Sequence, residues 1–278
     1  MQPREIRVGH SPDPDDAFMF YALAHGKLDT GGLTFRHVLE DIETLNHRAV
    51  EGELELTALS AHALGYVMDT YALLPCGASF GDRCGPVVVA RRPMTVGELG
   101  DVRIAVPGTM TSAYLLLRLL LMHFKFEVVP FDKVIDAVKS GETEAGLLIH
   151  EGQITYQQMG LHMVVDLGEW WHADTGLPVP LGVNGARKDL GKELLQRLAG
   201  LLRQSIEYAM AHRDEAVAYA MKFSRGLDAA ATDRFVRMYV NPWSLDMGRA
   251  GREAIQRLLT RGYHAALLPR PVNLEFVE

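Results

Sequence analysis

Cysteine is scarce in this chain of 278 residues: only Cys76 and Cys84 occur, and they lack the spacing of a redox motif or a zinc site. That pattern suits a reducing compartment and reads as two buried or partly buried free thiols, not a stapled secreted framework. Long hydrophobic runs are missing as well. The longest candidate, Ala113 to Met122, contains Arg118 and falls short of the roughly 20 apolar residues a bilayer span needs, which excludes a membrane protein of the helical kind. The opening residues MQPREIRVGH run straight into a strand-like segment with no apolar secretory core, so the expectation is a cytoplasmic protein.

Concentrated positive charge is also absent. With 28 Lys and Arg against 35 Asp and Glu, the formal charge is −7, and no basic cluster interrupts it. A nucleic-acid partner is excluded on that ground, because neutralising many phosphates takes a basic face. If the ligand is a small anion, local hydrogen-bond donors must hold it, since the field of the whole protein is mildly repulsive. The sequence has no glycine-rich dinucleotide fingerprint, no Walker loop, no nucleophile elbow and no His-Glu-x-x-His. Chemistry without a cofactor and without a metal is what remains.

What is present is an ordinary globular composition, 48% apolar and 23% charged, on a chain long enough for two cores. Strand-loop-helix units follow one another from the start. Glu5 to Gly9 reads as a strand, His10 to Asp16 as a turn dense in Pro and Asp, and Ala17 to Leu23 as a helix. Leu33 to Val38 is a second strand, Asp41 to Glu51 a helix, Leu54 to Leu59 a strand ending at Ser60, and Ala61 to Met68 another helix. Gly85 to Ala90 has the unbroken apolar character of a strand buried on both faces. The pattern restarts after Arg91-Arg92-Pro93 with a strand at Val102 to Val106, a helix from Thr111, and strand-like runs at Phe126 to Pro130, Ala145 to Ile149 and Val164 to Leu167. Gly176 to Leu181 reads as a return crossing. Beyond it the spacing predicts helices over Asp189 to Arg213, Asp214 to Phe223, Ala231 to Tyr239 and Met247 to Arg261. The expected architecture is α/β and two-lobed, with two crossovers and a ligand cleft between the lobes. Residues 1–92 would form the first part of the large lobe, 93–177 the small lobe, and 178–278 the rest of the large lobe. The apolar faces of the C-terminal helices admit two readings, a homodimer surface or intramolecular packing.

Strand ends facing a cleft select four segments for chemistry: His10 to Asp16, Thr57 to Ser60, Pro107 to Ala113 and Ile149 to Thr155. Thr111, Ser112 and Ala113 start a helix whose free N–H groups would favour a carboxylate, although Thr111 or Ser112 could equally be a helix cap. Ser60 carries the same two readings. His150 follows an apolar strand, an address that suits a general base titrating near neutral pH, while a structural histidine bonded to backbone is the alternative. Glu151 either orients that ring or faces solvent. The carboxylates of Asp13, Asp15 and Asp16 suggest a cation loop only weakly, given two prolines among them, and Asp15 and Asp16 are accounted for by charge at a helix start. Asn46 is a ligand contact or a polar surface residue, and Trp170-Trp171 a cover or packing.

These segments together resemble one enzyme family. His-Ser-Pro-Asp-Pro-Asp-Asp-Ala-Phe-Met-Phe-Tyr-Ala-Leu at His10 to Leu23 is similar to the N-terminal signature of the 1,4-dihydroxy-6-naphthoate synthases. So are Glu40 to Asn46, Leu56 to Ser60, Ala105 to Gly108 with Thr111 to Tyr114, Gly146 to Glu151, Val165 to Gly168, and Tyr239 to Asn241 with Leu245-Asp246. The resemblance implies a fold like the type II periplasmic binding proteins. It also implies a lyase of the futalosine route to menaquinone that cleaves cyclic dehypoxanthinyl futalosine to 1,4-dihydroxy-6-naphthoate without a cofactor. It places the catalytic base on His150 and contacts to a small anionic substrate on Ser60, Thr111, Ser112 and Ala113, with Asp16 and Asn46 at polar pocket positions. Ala58 stands where some relatives have lysine, so Ala58 and Leu59 offer backbone contacts only. No role carries over to Asp13 or Asp15. Two other functions compete: chorismate dehydration in the same pathway, against which the Ile-His-Glu segment argues, and non-catalytic binding of a small anion on a shared fold.

Overall fold

The structure, a computed structural model, describes residues 4–278, so the reading of Met1 to Pro3 lies outside the described residues. The chain builds one sheet, crosses to build another, and returns. The first passage lays down β1 (Arg4–His10), β2 (Leu33–Leu39), β3 (Leu56–Ser60), β4 (Tyr71–Leu73) and β5 (Ser79–Gly81). The second lays down β6 (Val87–Ala90), β7 (Arg103–Val106), β8 (Lys125–Val128), β9 (Ala145–Leu148) and β10 (His162–Asp166). The return is β11 (Val179–Arg187). The first sheet has the order β2-β1-β3-β11-β4 with β5 also on β11, and the second has β10-β6-β9-β7-β8.

In the first sheet β1 runs parallel to β2 and β3, and β11 closes antiparallel on β3. Ile6 and Val8 are fully buried under the helix Pro14–Ala24, whose Phe18, Met19 and Phe20 are equally buried. That helix is apolar all round because it is covered on both sides, by the sheet and by the helix Lys192–Ala211. The latter presents Leu195, Leu198, Leu202, Ile206 and Ala209 at helical spacing, and the Ser205 hydroxyl donates to the Met19 carbonyl at 2.7 Å. The apolar residues of the helices Ala229–Tyr239 and Gly248–His264 likewise pack into this chain's own cores. No helix among the described residues is long and apolar enough to cross a membrane.

Several details differ from the sequence reading. The first crossing lies between Gly81 and Val87, ahead of Arg91–Pro93, because β6 already pairs with β9 and β10 of the second sheet. Four fully buried residues in β6 are what a central strand requires, so the strand was legible but its sheet was not. Residue Asp189 does not begin a helix; it pairs with Arg187 at 2.7 Å, and the helix starts after Gly191. The segment Ala61 to Met68 is a 3-10 turn followed by the short helix Leu64–Val67.

The crossing chains touch backbone to backbone. Leu167 N–H donates to the Pro86 carbonyl at 2.9 Å, and a Cβ on Gly168 would lie 2.1 Å from the Cys84 carbonyl oxygen. Backbone on both sides leaves nothing flexible to yield. Gly168→Ala is therefore expected to destabilise the protein by roughly 1–3 kcal/mol, the usual range for overpacking. A urea melt with unchanged midpoint would show that the crossover has slack.

Candidate active site

The site begins where β1 runs out. His10 is followed by Ser11-Pro12-Asp13, and Pro14 takes the first helical position, for which its fixed φ suits it. Asp13 is the N-cap of this helix by backbone geometry, yet its carboxylate makes no capping bond. It turns into the cleft instead, where Oδ2 lies 2.9 Å from Nδ1 of His150 and also accepts from the Ser11 hydroxyl. Oδ1 accepts from Nη1 of Arg225 at 3.0 Å. Burial alone would push this carboxyl up, but the facing imidazole, its hydrogen bond, the Ser11 hydroxyl and the Arg225 cation bring it down to about 2.

His150 comes just after β9, at the turn into the short helix Gly152–Thr155, and it lines the cleft. With Nδ1 donating to an ionised Asp13, the neutral ring carries its lone pair on Nε2, and Nε2 is buried without a protein partner. The Phe131 ring meets the imidazole edge-on with centroids 4.0 Å apart. The ring is therefore held on one nitrogen and free on the other.

Glu151 does neither of the things expected of it. It is buried, and both its oxygens accept from Arg225 Nη1 at 3.0 Å, so Asp13 orients His150 in its place. Asp13, His150 and Glu151 are the one group among the described residues with the donor spacing of a metal site. The Arg225 guanidinium already lies between the two carboxylates, so this donor set does not fit an added cation.

The facing wall comes from the start of the helix Ser112–Leu121. The Thr111 hydroxyl accepts from Tyr114 N–H at 3.1 Å, so Thr111 does cap the helix, and it also lines the cleft. The Ser112 hydroxyl donates to the Leu181 carbonyl of β11, pinning the helix start to the other sheet. The N–H groups of Ser112 and Ala113 have no intrahelical acceptor by position, and both residues line the cleft. Ser60 completes this side, with its N–H donating to Asn46 Oδ1 at 2.9 Å and its hydroxyl accepting from Asn46 Nδ2 at 3.0 Å.

One expected contact does not reach the cleft. Asn46 is fully buried behind Ser60 and also donates weakly to the Met110 carbonyl at 3.4 Å, so it braces the wall from the rear. The Leu59 side chain packs in the core, because alternate residues of β3 face opposite sides of the sheet, which leaves only its backbone to offer. Ala58, Ser60 and Asp16 line the cleft. Trp171 is packing, its indole N–H bonded to the Pro178 carbonyl at 3.1 Å.

The cleft has about 700 Å³ of open space between the walls. Ser79, Asn184 and Tyr239 also line it and escaped the sequence reading of the pocket. Ser79 lies on a three-residue strand too short to show a period, and Asn184 on a strand broken up by glycines. Asn184 Oδ1 has no partner, while its amide donates to the Gly77 carbonyl at 2.7 Å. Asp15 accepts from the Ser79 hydroxyl at 3.1 Å, and Asp16 from Ser11 N–H at 2.7 Å. Burial, with Asp13 beside it, pushes Asp15 up to about 6; burial and the neighbouring Asp15 push Asp16 well above the carboxylate range.

With this geometry, comparison with known proteins is informative. A family described as menaquinone biosynthesis matches residues 6–264. A 1,4-dihydroxy-6-naphthoate synthase from Thermus thermophilus is 45% identical over 271 residues, covering 96% of this chain and 98% of that one. A crystal structure of a protein from Archaeoglobus fulgidus superposes with a TM-score of 0.91 at 49% identity, covering 95% and 98% of the two chains. The alkanesulfonate-binding protein SsuA from Xanthomonas axonopodis pv. citri, bound to MOPS, is only 15% identical but has a TM-score of 0.74 over 98% of this chain and 96% of that one. The last likeness shows the fold alone: two α/β lobes of the periplasmic-binding-protein type II kind.

The raised carboxyl of Asp15 makes a stability prediction with a definite sign. A carboxyl whose folded-state pKa lies above its unfolded value favours the fold when protonated, and that contribution is lost as pH rises toward and through about 6. Asp15→Asn should therefore gain on the order of 2 kcal/mol at pH 8 and little at pH 3.5, below the unfolded pKa. Equal gains at both pH values in urea melts would mean that Asp15 ionises in the fold without cost.

Proposed function

This chain belongs to the menaquinone biosynthesis family, and from that membership we propose that it catalyses the 1,4-dihydroxy-6-naphthoate synthase reaction. The reaction is a cofactor-free carbon–carbon cleavage that converts cyclic dehypoxanthinyl futalosine to 1,4-dihydroxy-6-naphthoate, a biosynthetic step suited to the cytoplasm. The observation that carries the catalytic part is the pairing of a held Nδ1 with an unpartnered Nε2 on His150.

In this reading the substrate carboxylate lies at the start of the helix Ser112–Leu121, against the N–H groups of Ser112 and Ala113 and beside Thr111 and Ser60. No side-chain cation is needed there, in keeping with alanine at position 58. Asp16, held toward the neutral form, can donate to a hydroxyl group of the sugar-derived part, and Asp15 can accept from one. His150 Nε2 takes a proton from a sugar hydroxyl. The oxygen's electrons form a carbonyl as the adjacent carbon–carbon bond breaks, and the pair released from that bond enters the bicyclic ring system, which becomes aromatic. Asp13 stays ionised and steadies the imidazolium formed at that moment, as the carboxylate of a hydrolase triad does. Closure of the two lobes keeps water from the alkoxide.

The decisive experiment supplies the purified protein with cyclic dehypoxanthinyl futalosine and with chorismate in separate reactions and follows the products by mass. The naphthoate from the first and nothing from the second is the expected result; a dehydrated chorismate would move the protein to the neighbouring step, and binding with no product at all would leave only a receptor. His150→Ala should bind substrate and lose roughly 10²–10⁴-fold in kcat, the usual share of a general base. Asp13→Asn should also lose at least tenfold with little change in KM, because an amide can hold the ring in the wrong tautomer. Near-normal turnover in His150→Ala would end the assignment.

A further inference from the structure

We infer that Arg225 is a positioning residue, a latch across the cleft mouth that makes the reactive geometry of His150 conditional on the lobes being shut. The inference rests on the reading of His150 as the base, although its first test does not.

The two members of the Asp13–His150 pair come from different lobes. Asp13 follows β1 of the first sheet, and His150 follows β9 of the second. Opening the cleft must separate them, which leaves the imidazole without the partner that sets its tautomer and direction. The bonds that Ser112, Thr109 and Met110 make to the first lobe hold the far end of the cleft. At the Asp13–His150 end Arg225 adds the second hold.

This arginine sits between the 3-10 turn Met221–Phe223 and the helix Ala229–Tyr239, in the part of the chain that returns to the first lobe. Its guanidinium reaches Asp13 and the Pro12 carbonyl on its own side, at 3.0 and 3.3 Å. Across the cleft it reaches both oxygens of Glu151, and its face lies 4.5 Å from the centre of the Phe131 ring, the ring that meets His150 edge-on. A single group thus holds the carboxylate that orients the base, the residue next to the base and the ring packed against it. Arg225 is not among the residues that line the cleft.

Exposure suits a latch better than a permanent strut. The Arg225 side chain is 31% exposed, whereas those of Asp13 and Glu151 are 7% and 10% exposed. When the cleft opens the cation passes readily to water. When the cation is deleted, two nearly buried carboxylates are left facing each other across the interface, which costs the closed state far more than the open one. The backbone agrees: Arg225 is held at φ +48 and Gly226 at φ +93, a left-handed pair that a non-glycine residue adopts only when its surroundings favour it.

The charged and titratable groups around the guanidinium are Asp13, Glu151 and His150, with Asp15 behind Asp13. Removing the cation takes away one of the interactions that hold the Asp13 carboxyl down. Activity requires Asp13 ionised, so the acid limb of kcat/KM moves to higher pH.

The test uses the full chain and compares Arg225→Met, Arg225→Lys and Glu151→Gln with the unaltered protein. Small-angle scattering of the ligand-free proteins should show larger radii of gyration for Arg225→Met and Glu151→Gln, with Arg225→Lys between them and the unaltered protein. Arg225→Met should lose about 10²-fold in kcat, the scale of a misplaced catalytic group, with KM changed less and the acid limb moved up. Unchanged radii together with an unshifted pH profile overturn the latch, even if turnover falls. Should Arg225→Met fail to melt cooperatively, Glu151→Gln answers alone, because it weakens the Arg225–Glu151 pair and leaves Arg225 with its contacts to Asp13 and Phe131. If the unaltered protein makes no naphthoate, the catalytic reading fails, and the scattering then decides the latch by itself.

Discussion

The 2.9 Å contact between Asp13 Oδ2 and His150 Nδ1 joins two strand ends that belong to different sheets, and the rest of the cleft is arranged around it. An imidazole can serve as an acceptor only if one nitrogen is committed and the other is free, and an ionised carboxylate is what commits it. The carboxylate must in turn remain ionised under deep burial. The facing His150, Ser11 and Arg225 see to that, and Glu151 shares the same cation.

The opposite wall works by withholding charge. Its donors are backbone N–H groups and hydroxyls, and each is braced from behind: Ser60 by Asn46, Ser112 by the Leu181 carbonyl, and the turn before Thr111 by Glu43, which accepts from Thr109 and Met110 N–H. Glu43 and Asn46 share one helix, Ile42–Val50, one turn apart, so a single helix of the first lobe steadies the loop of the second. Burial pushes Glu43 up even though those N–H groups favour its charged form. The two walls differ in kind, an acid–base pair on one side and fixed dipoles on the other, as a carboxylate-bearing substrate with one acidic proton would require.

Much of this is legible in the sequence. Helix caps, apolar periods and strand ends located β1, β3, β7 and β9 and put Ser60, Thr111 and His150 at their tips, because those signals are local. What stayed hidden depends on contacts distant in sequence. Nothing around Asp13 announces that it abandons its cap for a histidine on another sheet, and Arg225 lies in a stretch with no motif. Asn46 was misplaced for a simpler reason: a polar residue on a helix can brace a wall as well as line it. The strands β4 and β5 are too short to show a period, and β11 is interrupted by Gly182, Asn184 and Gly185, so the strand that joins most of the first sheet left the faintest trace.

The uncapped start of the helix Pro14–Ala24 has a consequence for how this protein can change. A side chain in the favoured capping position has been diverted to chemistry, and the helix is secured by burial on both sides instead. A serine there would satisfy the helix terminus better while leaving the imidazole adrift. Selection for ruggedness and selection for turnover therefore pull on residue 13 in opposite directions, and the aspartate marks which of them has prevailed.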